Sequence, residues 1–162
     1  MTTPATETPQ QNTESYLYYI SFSRLEELQR SPVAILADRR GPSCPSLMQP
    51  NHELNDPQKL LDEIAECCSG EQGYIKPDMP IQEIVFRILL TRRNQHMSVE
   101  DLHYELTEKW STPIRPISMT VEGLHRILRH DTYYGFDFDV EEAQASKANT
   151  NRGKRGTTVR GT

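Results

Sequence analysis

The spacing of apolar residues changes several times along this chain, and each change predicts an element. Residues 16–23 (YLYYISFS) alternate, with Tyr16, Tyr18, Ile20 and Phe22 on one face and Leu17, Tyr19, Ser21 and Ser23 on the other. A period of two with aromatic and β-branched content predicts a strand. A short helix is expected from Ser23 to Gln29, ended before Pro32, because the residue preceding a proline avoids the α region. Residues 33–37 (VAILA) fit a short buried strand or a helical turn, and periodicity does not choose between them. Residues 38–56, with Pro42, Pro45 and Pro50, read as a loop.

Helical spacing takes over from there. Asp56 followed by Pro57 is a capping acceptor with proline at the first helical position. Leu61, Ile64, Ala65 and Cys68 then recur at i, i+3, i+4 and i+7 until Gly70 stops the run. A second helix is predicted to begin near Pro80. Ile81, Ile84, Val85, Ile88 and Leu89 make one stripe and Phe86 and Leu90 another, so this helix should be covered on most sides and form the centre of the core. Ser98 with Asp101 has the form of a capping box and opens a third helix, with Val99, Leu102, Leu106 and Trp110 inward. Thr120 caps a fourth, VEGLHRILRH, with Val121, Leu124, Ile127 and Leu128 inward. Thr132–Phe138 (TYYGFDF) is aromatic, alternating and strand-like.

The order from Pro80 onward is therefore helix, short link, helix, linker, helix, β segment. It resembles the winged-helix branch of the helix-turn-helix superfamily over residues 80–138, most closely in Met97–Leu106 and Thr120–Leu128. The resemblance rests on pattern, since no invariant motif defines that fold. It implies an α+β class: a winged-helix-like three-helix unit with a small β-sheet. Two features depart from the family pattern. The connection from Trp110 to Thr120 holds Pro113 and Pro116 and is much longer than the turn of the simple motif. After His130 there is little room for two strands and a wing. Thr132–Phe138 is alternatively a strand paired with Tyr16–Phe22, favoured by aromatic cross-strand contacts of up to about 1 kcal/mol each. That pairing would add the N-terminal strand to the sheet.

Composition sharpens the boundaries. Only 35% of the 162 residues are apolar, and residues 1–15 and 143–162 hold almost none of them. The expected organisation is a disordered tail over 1–15, a strand and helix segment over 16–79 packing on the main domain, a winged-helix-like domain over 80–138, and a disordered tail over 139–162. No apolar run approaches the roughly 18 residues of a membrane span. The N-terminus lacks the basic and apolar regions of a targeting signal. With three cysteines, Cys44, Cys67 and Cys68, and no C-x-x-C, a disulfide framework is not expected and a reducing cytoplasm is.

The net charge of −5 belongs to an acidic body, while the last twenty residues carry five bases and no acid. Local charge must then carry any contact with nucleic acid, which usually shows as a basic patch over the domain itself. On the fourth helix, Glu122, Arg126, Arg129 and His130 fall on the outer arc, with His125 at its border. As the recognition helix that the resemblance implies, it would offer Arg126, Arg129 and His130 to duplex DNA, since arginine bonds guanine bidentately and also contacts phosphate. Arg115 and the pair Arg92-Arg93 would add phosphate contacts. The tail RGKRGTTVRG would add more through Arg152, Lys154 and Arg155. The bland alternatives are a solvated helix face and a tail that only solubilises.

Candidate chemistry is sparse. His96, His103, His125 and His130 form no ligand spacing. His103 reads as a border histidine with a satisfied ring and Cys68 as a small core hydrophobe. There is no phosphate loop and no nucleophile elbow. No catalytic residue, metal or cofactor is expected. The chain reads as a non-enzymatic DNA-binding protein of winged-helix type, acting in transcription regulation. The alternative is a protein-interaction module of the same fold, using acidic Glu100, Asp101, Glu105 and Glu108 with aromatic Tyr133, Tyr134 and Phe136.

Overall fold

A computed structural model describes residues 14–50 and 53–142 of the 162. The expected tails fall almost entirely outside these residues, including Arg152, Lys154 and Arg155. The elements are β1 (Glu14–Ile20), α1 (Phe22–Glu27), α2 (Pro32–Ala37), a 3₁₀ turn (Pro45–Met48), α3 (Pro57–Cys68), α4 (Ile81–Thr91), β2 (Met97–Ser98), α5 (Val99–Lys109), α6 (Val121–Arg129) and β3 (Phe136–Glu142). Among the described residues, Tyr16–Asp139 form one compact unit. The class is α+β, with a small antiparallel sheet beside the helices, consistent with a winged-helix-like unit.

Local chemistry accounts for most helix starts. The Asp56 carboxylate accepts from the backbone N–H of Gln58 at 3.0 Å, and Pro57 opens α3. Ser98 caps α5 through Asp101 N–H at 3.1 Å, and Thr120 caps α6 through Gly123 N–H at 3.0 Å. Residues 33–37, open between strand and helical turn, are helical. Ser31 accepts from Ala34 N–H at 3.2 Å and Pro32 occupies the first turn, the same cap-then-proline chemistry that starts α3.

The sheet order is β2-β1-β3, so the N-terminal strand is its centre and β3 lies next to it. Leu17 and Tyr18 face Ser98 and Met97 in antiparallel register. On the other side, Ser21 N–H donates to Gly135 O at 2.8 Å. The Phe138 ring packs 5.4 Å from Tyr16 and 5.3 Å from Tyr18, the aromatic pairing expected of these two segments. The strand does not begin at Thr132, however. Asp131 accepts from the backbone N–H groups of Tyr133 and Tyr134 at 2.9 and 2.7 Å, which bends residues 131–135 into a turn. Gly135, at φ 73°, completes it and leads into Phe136.

One apolar core joins the elements on both sides of Pro80. Tyr18, Ile20, Leu25 and Leu36 contribute from the first part of the chain and Leu61 and Ile64 from α3. Leu102, Leu106, Leu124 and Leu128 come from α5 and α6. Both predicted stripes of α4 are buried, including Ile84, Phe86, Ile88, Leu89 and Leu90, with Ile81 at its start half-buried. Burying a side chain of this size contributes about 1.5–3 kcal/mol. A polar clamp joins the segment that follows α2 to α4. The buried Arg39 donates to Glu83 through Nε and Nη2, both at 3.0 Å, and Arg87 Nε donates to the same carboxylate at 3.0 Å. Among the described residues no helix is long and apolar enough to cross a membrane.

Candidate functional site

The amphipathic division of α6 is what creates its exposed face. Leu124 and Leu128 are fully buried and Val121 and Ile127 half-buried, while Glu122, Arg126, Arg129 and His130 are exposed. The helix is held at both ends and along one side. His103 on α5 donates from Nε2 to Met119 O at 2.7 Å, just before the Thr120 cap, so this ring is satisfied as a border histidine. In the connection, Ser111 Oγ accepts from Ile117 N–H at 2.9 Å. His125 stacks on Tyr16 with ring centroids 3.9 Å apart, and its Nδ1 lies 2.7 Å from the Tyr18 hydroxyl. Burial, reinforced by the charge of Arg129, lowers the His125 pKa. The ring is a neutral packing group that fastens α6 to the sheet.

What remains outward in the last turn is cationic, while Glu122 stands in the first. Among the described residues, Arg126 and Arg129 make no ion pair and no hydrogen bond through their guanidinium groups. Each of the other described arginines has a partner. Arg24 pairs with Glu27, Arg39 and Arg87 with Glu83, Arg92 with Glu105, and Arg93 with Asp62. Arg30 lies over the Tyr133 ring, and Arg40 donates to the Ala37 and Ser46 carbonyls. Glu122 stands one turn before Arg126 without pairing to it. Both free arginines belong to the last turn of α6, where the helix dipole favours positive charge. That suffices to explain a cation there, but not the absence of a partner among the described residues.

The other sequence-predicted positions are dispersed. His130 caps the C-terminus of α6 and is exposed. Arg115 is exposed, yet its Nη1 already donates to the Pro77 and Met79 carbonyls at 3.0 and 2.8 Å, tying the α5–α6 connection to the approach of α4. Arg92 and Arg93 are engaged by carboxylates. The features expected to serve a protein partner separate as well. Phe136 and Glu105 are buried, and Tyr133 carries Arg30. In contrast, Ile114, between the two prolines of the connection, is 97% exposed and Tyr104 on α5 is 65% exposed.

Sequence reasoning did not find the Tyr16–Tyr18–His125 anchor or Asn94. The Asn94 amide accepts from Ile20 N–H at 2.7 Å and donates to Ile20 O at 2.8 Å, extending the ladder at the end of β1. Its left-handed φ of 57° is one that asparagine tolerates, and N-Q-H after a helix was the available signal. Among the described residues no cluster of three or more His, Cys, Asp or Glu could hold a metal ion. No protein-family model, curated protein or solved structure matches the chain.

Proposed function

We propose that residues 80–138 act as a winged-helix DNA-binding unit, non-enzymatic, cytoplasmic and employed in transcription regulation, with α6 entering the major groove. The observation that carries this reading is the uncommitted pair Arg126 and Arg129 on the exposed arc of α6, in a chain whose other described arginines all have partners. A guanidinium without a carboxylate partner keeps its donor fork for guanine O6 and N7 or for phosphate. His130 extends the same arc. Arg115 retains Nε and Nη2 for phosphate. Arg152, Lys154 and Arg155 would add sequence-independent contacts by counterion release.

The sheet sets the orientation. Because β3 has β1 for its neighbour, it does not build a wing with a strand following it among the described residues. Asp137, Asp139 and Glu141 make β3 anionic, so a duplex would lie over α6 and away from that strand.

The test is fluorescence anisotropy on mixed-sequence duplex across a salt series, for the full chain and for Arg126→Ala/Arg129→Ala. The double variant should bind more weakly: each arginine on phosphate takes about 1 off the slope of log K against log salt, and each on guanine costs about 1–3 kcal/mol. No duplex binding at low salt, or an affinity and slope both unchanged in the double variant, overturns the reading. The exposed Ile114 and Tyr104 favour the second reading, a protein-interaction module. Capture of one stoichiometric partner after nuclease treatment, abolished by Ile114→Asp, would support it.

A further inference from the structure

Cys44, Cys67 and Cys68 are all free thiols. Cys44 caps the 3₁₀ turn and Cys68 ends α3; both are buried, at 3% and 1% exposure. Their sulfur atoms are 3.6 Å apart, which is van der Waals contact. Other groups hold them there. Gly41 lies so close that a Cβ at its position would sit 2.9 Å from Cys68 Sγ. Ser43 Oγ donates to Cys67 O at 3.3 Å, tying the same loop to the end of α3. Cys68 also borders a cavity of about 490 Å³ together with Tyr74, Lys109 and Trp110. Cys67 is next in sequence and also interacts with Cys44. It is half-buried, however, and set about 100° around the helix from Cys68, so mapping must tell the two linkages apart.

We propose that Cys44 and Cys68 form an oxidation site that closes to an intramolecular disulfide under a peroxide-class oxidant. The Cys68 thiolate attacks one peroxide oxygen and breaks the O–O bond. The departing hydroxide takes up the thiol proton as water, leaving a sulfenic acid. The Cys44 thiolate then attacks that sulfur, the S–S bond forms, and the S–O bond breaks to release a second water. Two thiols lose two electrons and two protons, and one peroxide becomes two waters. The sulfur atoms must approach from 3.6 Å to about 2.05 Å, a side-chain adjustment. Burial pushes the Cys44 thiol up to about 11 and raises that of Cys68 as well. Little thiolate is therefore present at neutral pH, and the reaction is slow. The product closes the chain across 24 positions and restricts the unfolded state.

The full-length native protein is treated with hydrogen peroxide and then mapped by non-reducing peptide mass spectrometry and thiol titration. The expected result is a Cys44–Cys68 linkage, with one titratable thiol remaining of three and a melting temperature higher by several degrees, reversed by reductant. Cys67→Ser should leave the linkage intact, and Cys44→Ser and Cys68→Ser should abolish it. Wild-type mapping decides the matter even where a variant folds poorly. Sulfinic acid without a cross-link, a Cys67-linked dimer, or three unreacted thiols in native protein that oxidises once denatured would each overturn the assignment.

Discussion

Removing the Glu83 carboxylate tests the polar clamp that ties the segment after α2 to α4. Glu83 accepts from Arg39 Nε and Nη2 and from Arg87 Nε, all at 3.0 Å, and its side chain is only 12% exposed. Arg39 is equally enclosed. Its guanidinium lies 5.1 Å from the Phe86 ring, and Nη1 donates to Ile35 O at 2.9 Å. Glu83→Ala leaves this guanidinium buried without its counter-charge and a second one, Arg87, beside it. Breaking one side of a buried pair costs about 3–5 kcal/mol, a large share of the roughly 5–15 kcal/mol that holds a domain together. The melting temperature should fall by about 10–20 °C.

The same carboxylate gives a pH signature. Burial opposes its charge, but hydrogen bonds from Arg39, Tyr134 and Arg87 outweigh burial and hold its pKa below the ordinary value of 4.5. The unfolded chain therefore binds the proton first. Stability from Glu83 is complete above that ordinary value and is lost as pH falls through the depressed one. Urea unfolding of wild type and Glu83→Gln, followed by circular dichroism, should give curves far apart at neutral pH that converge on acidification. A cost below about 1 kcal/mol for Glu83→Ala would mean that the carboxylate acts as no more than a surface partner, since an exposed pair contributes no more than that.

Other perturbations probe separate parts of the fold. Leu124→Ala and Ile88→Ala should each lose about 2–5 kcal/mol in chemical denaturation, since both side chains are buried in the one core. Gly135→Ala should cost about 2–4 kcal/mol, because φ is 73° and the new Cβ would lie 2.5 Å from Leu25 Cγ; an unchanged urea midpoint would mean the turn is not so constrained. His125, whose pKa is lowered from 6.5, contributes stability that is complete above that value and declines as pH falls through the folded one. Urea midpoints of His125→Gln should lack this mildly acidic limb.

Local chemistry made much of the fold legible in the amino-acid order. Asp56, Ser98 and Thr120 act on backbone groups two or three residues away, so helix starts are readable without knowing the rest of the molecule. The Ser31-Pro32 pair carried the same message for α2, but the five apolar residues after it hid the helix among strand-like possibilities. The outward placement of Arg126 and Arg129 followed from helical spacing and the burial of Leu124 and Leu128. β2 was invisible, because two residues, Met97 and Ser98, become a strand only when Tyr18 and Leu17 are opposite them. The start of β3 was misplaced because Asp131 captures two backbone N–H groups that periodicity does not weigh.

Which arginines are spent inside the protein is a different kind of question. Arg39 and Glu83 are 44 positions apart, and Tyr18 and His125 are 107 apart. Neither pair leaves a periodic trace, since an ion pair or hydrogen bond depends on distance in space and charge patterning along the chain does not encode it. Amphipathic order thus specified which helices exist and which side of each is dry. Long-range packing decided which of the other described arginines meet distant carboxylates, such as Arg39 with Glu83 and Arg92 with Glu105, and pressed together the sulfur atoms of Cys44 and Cys68.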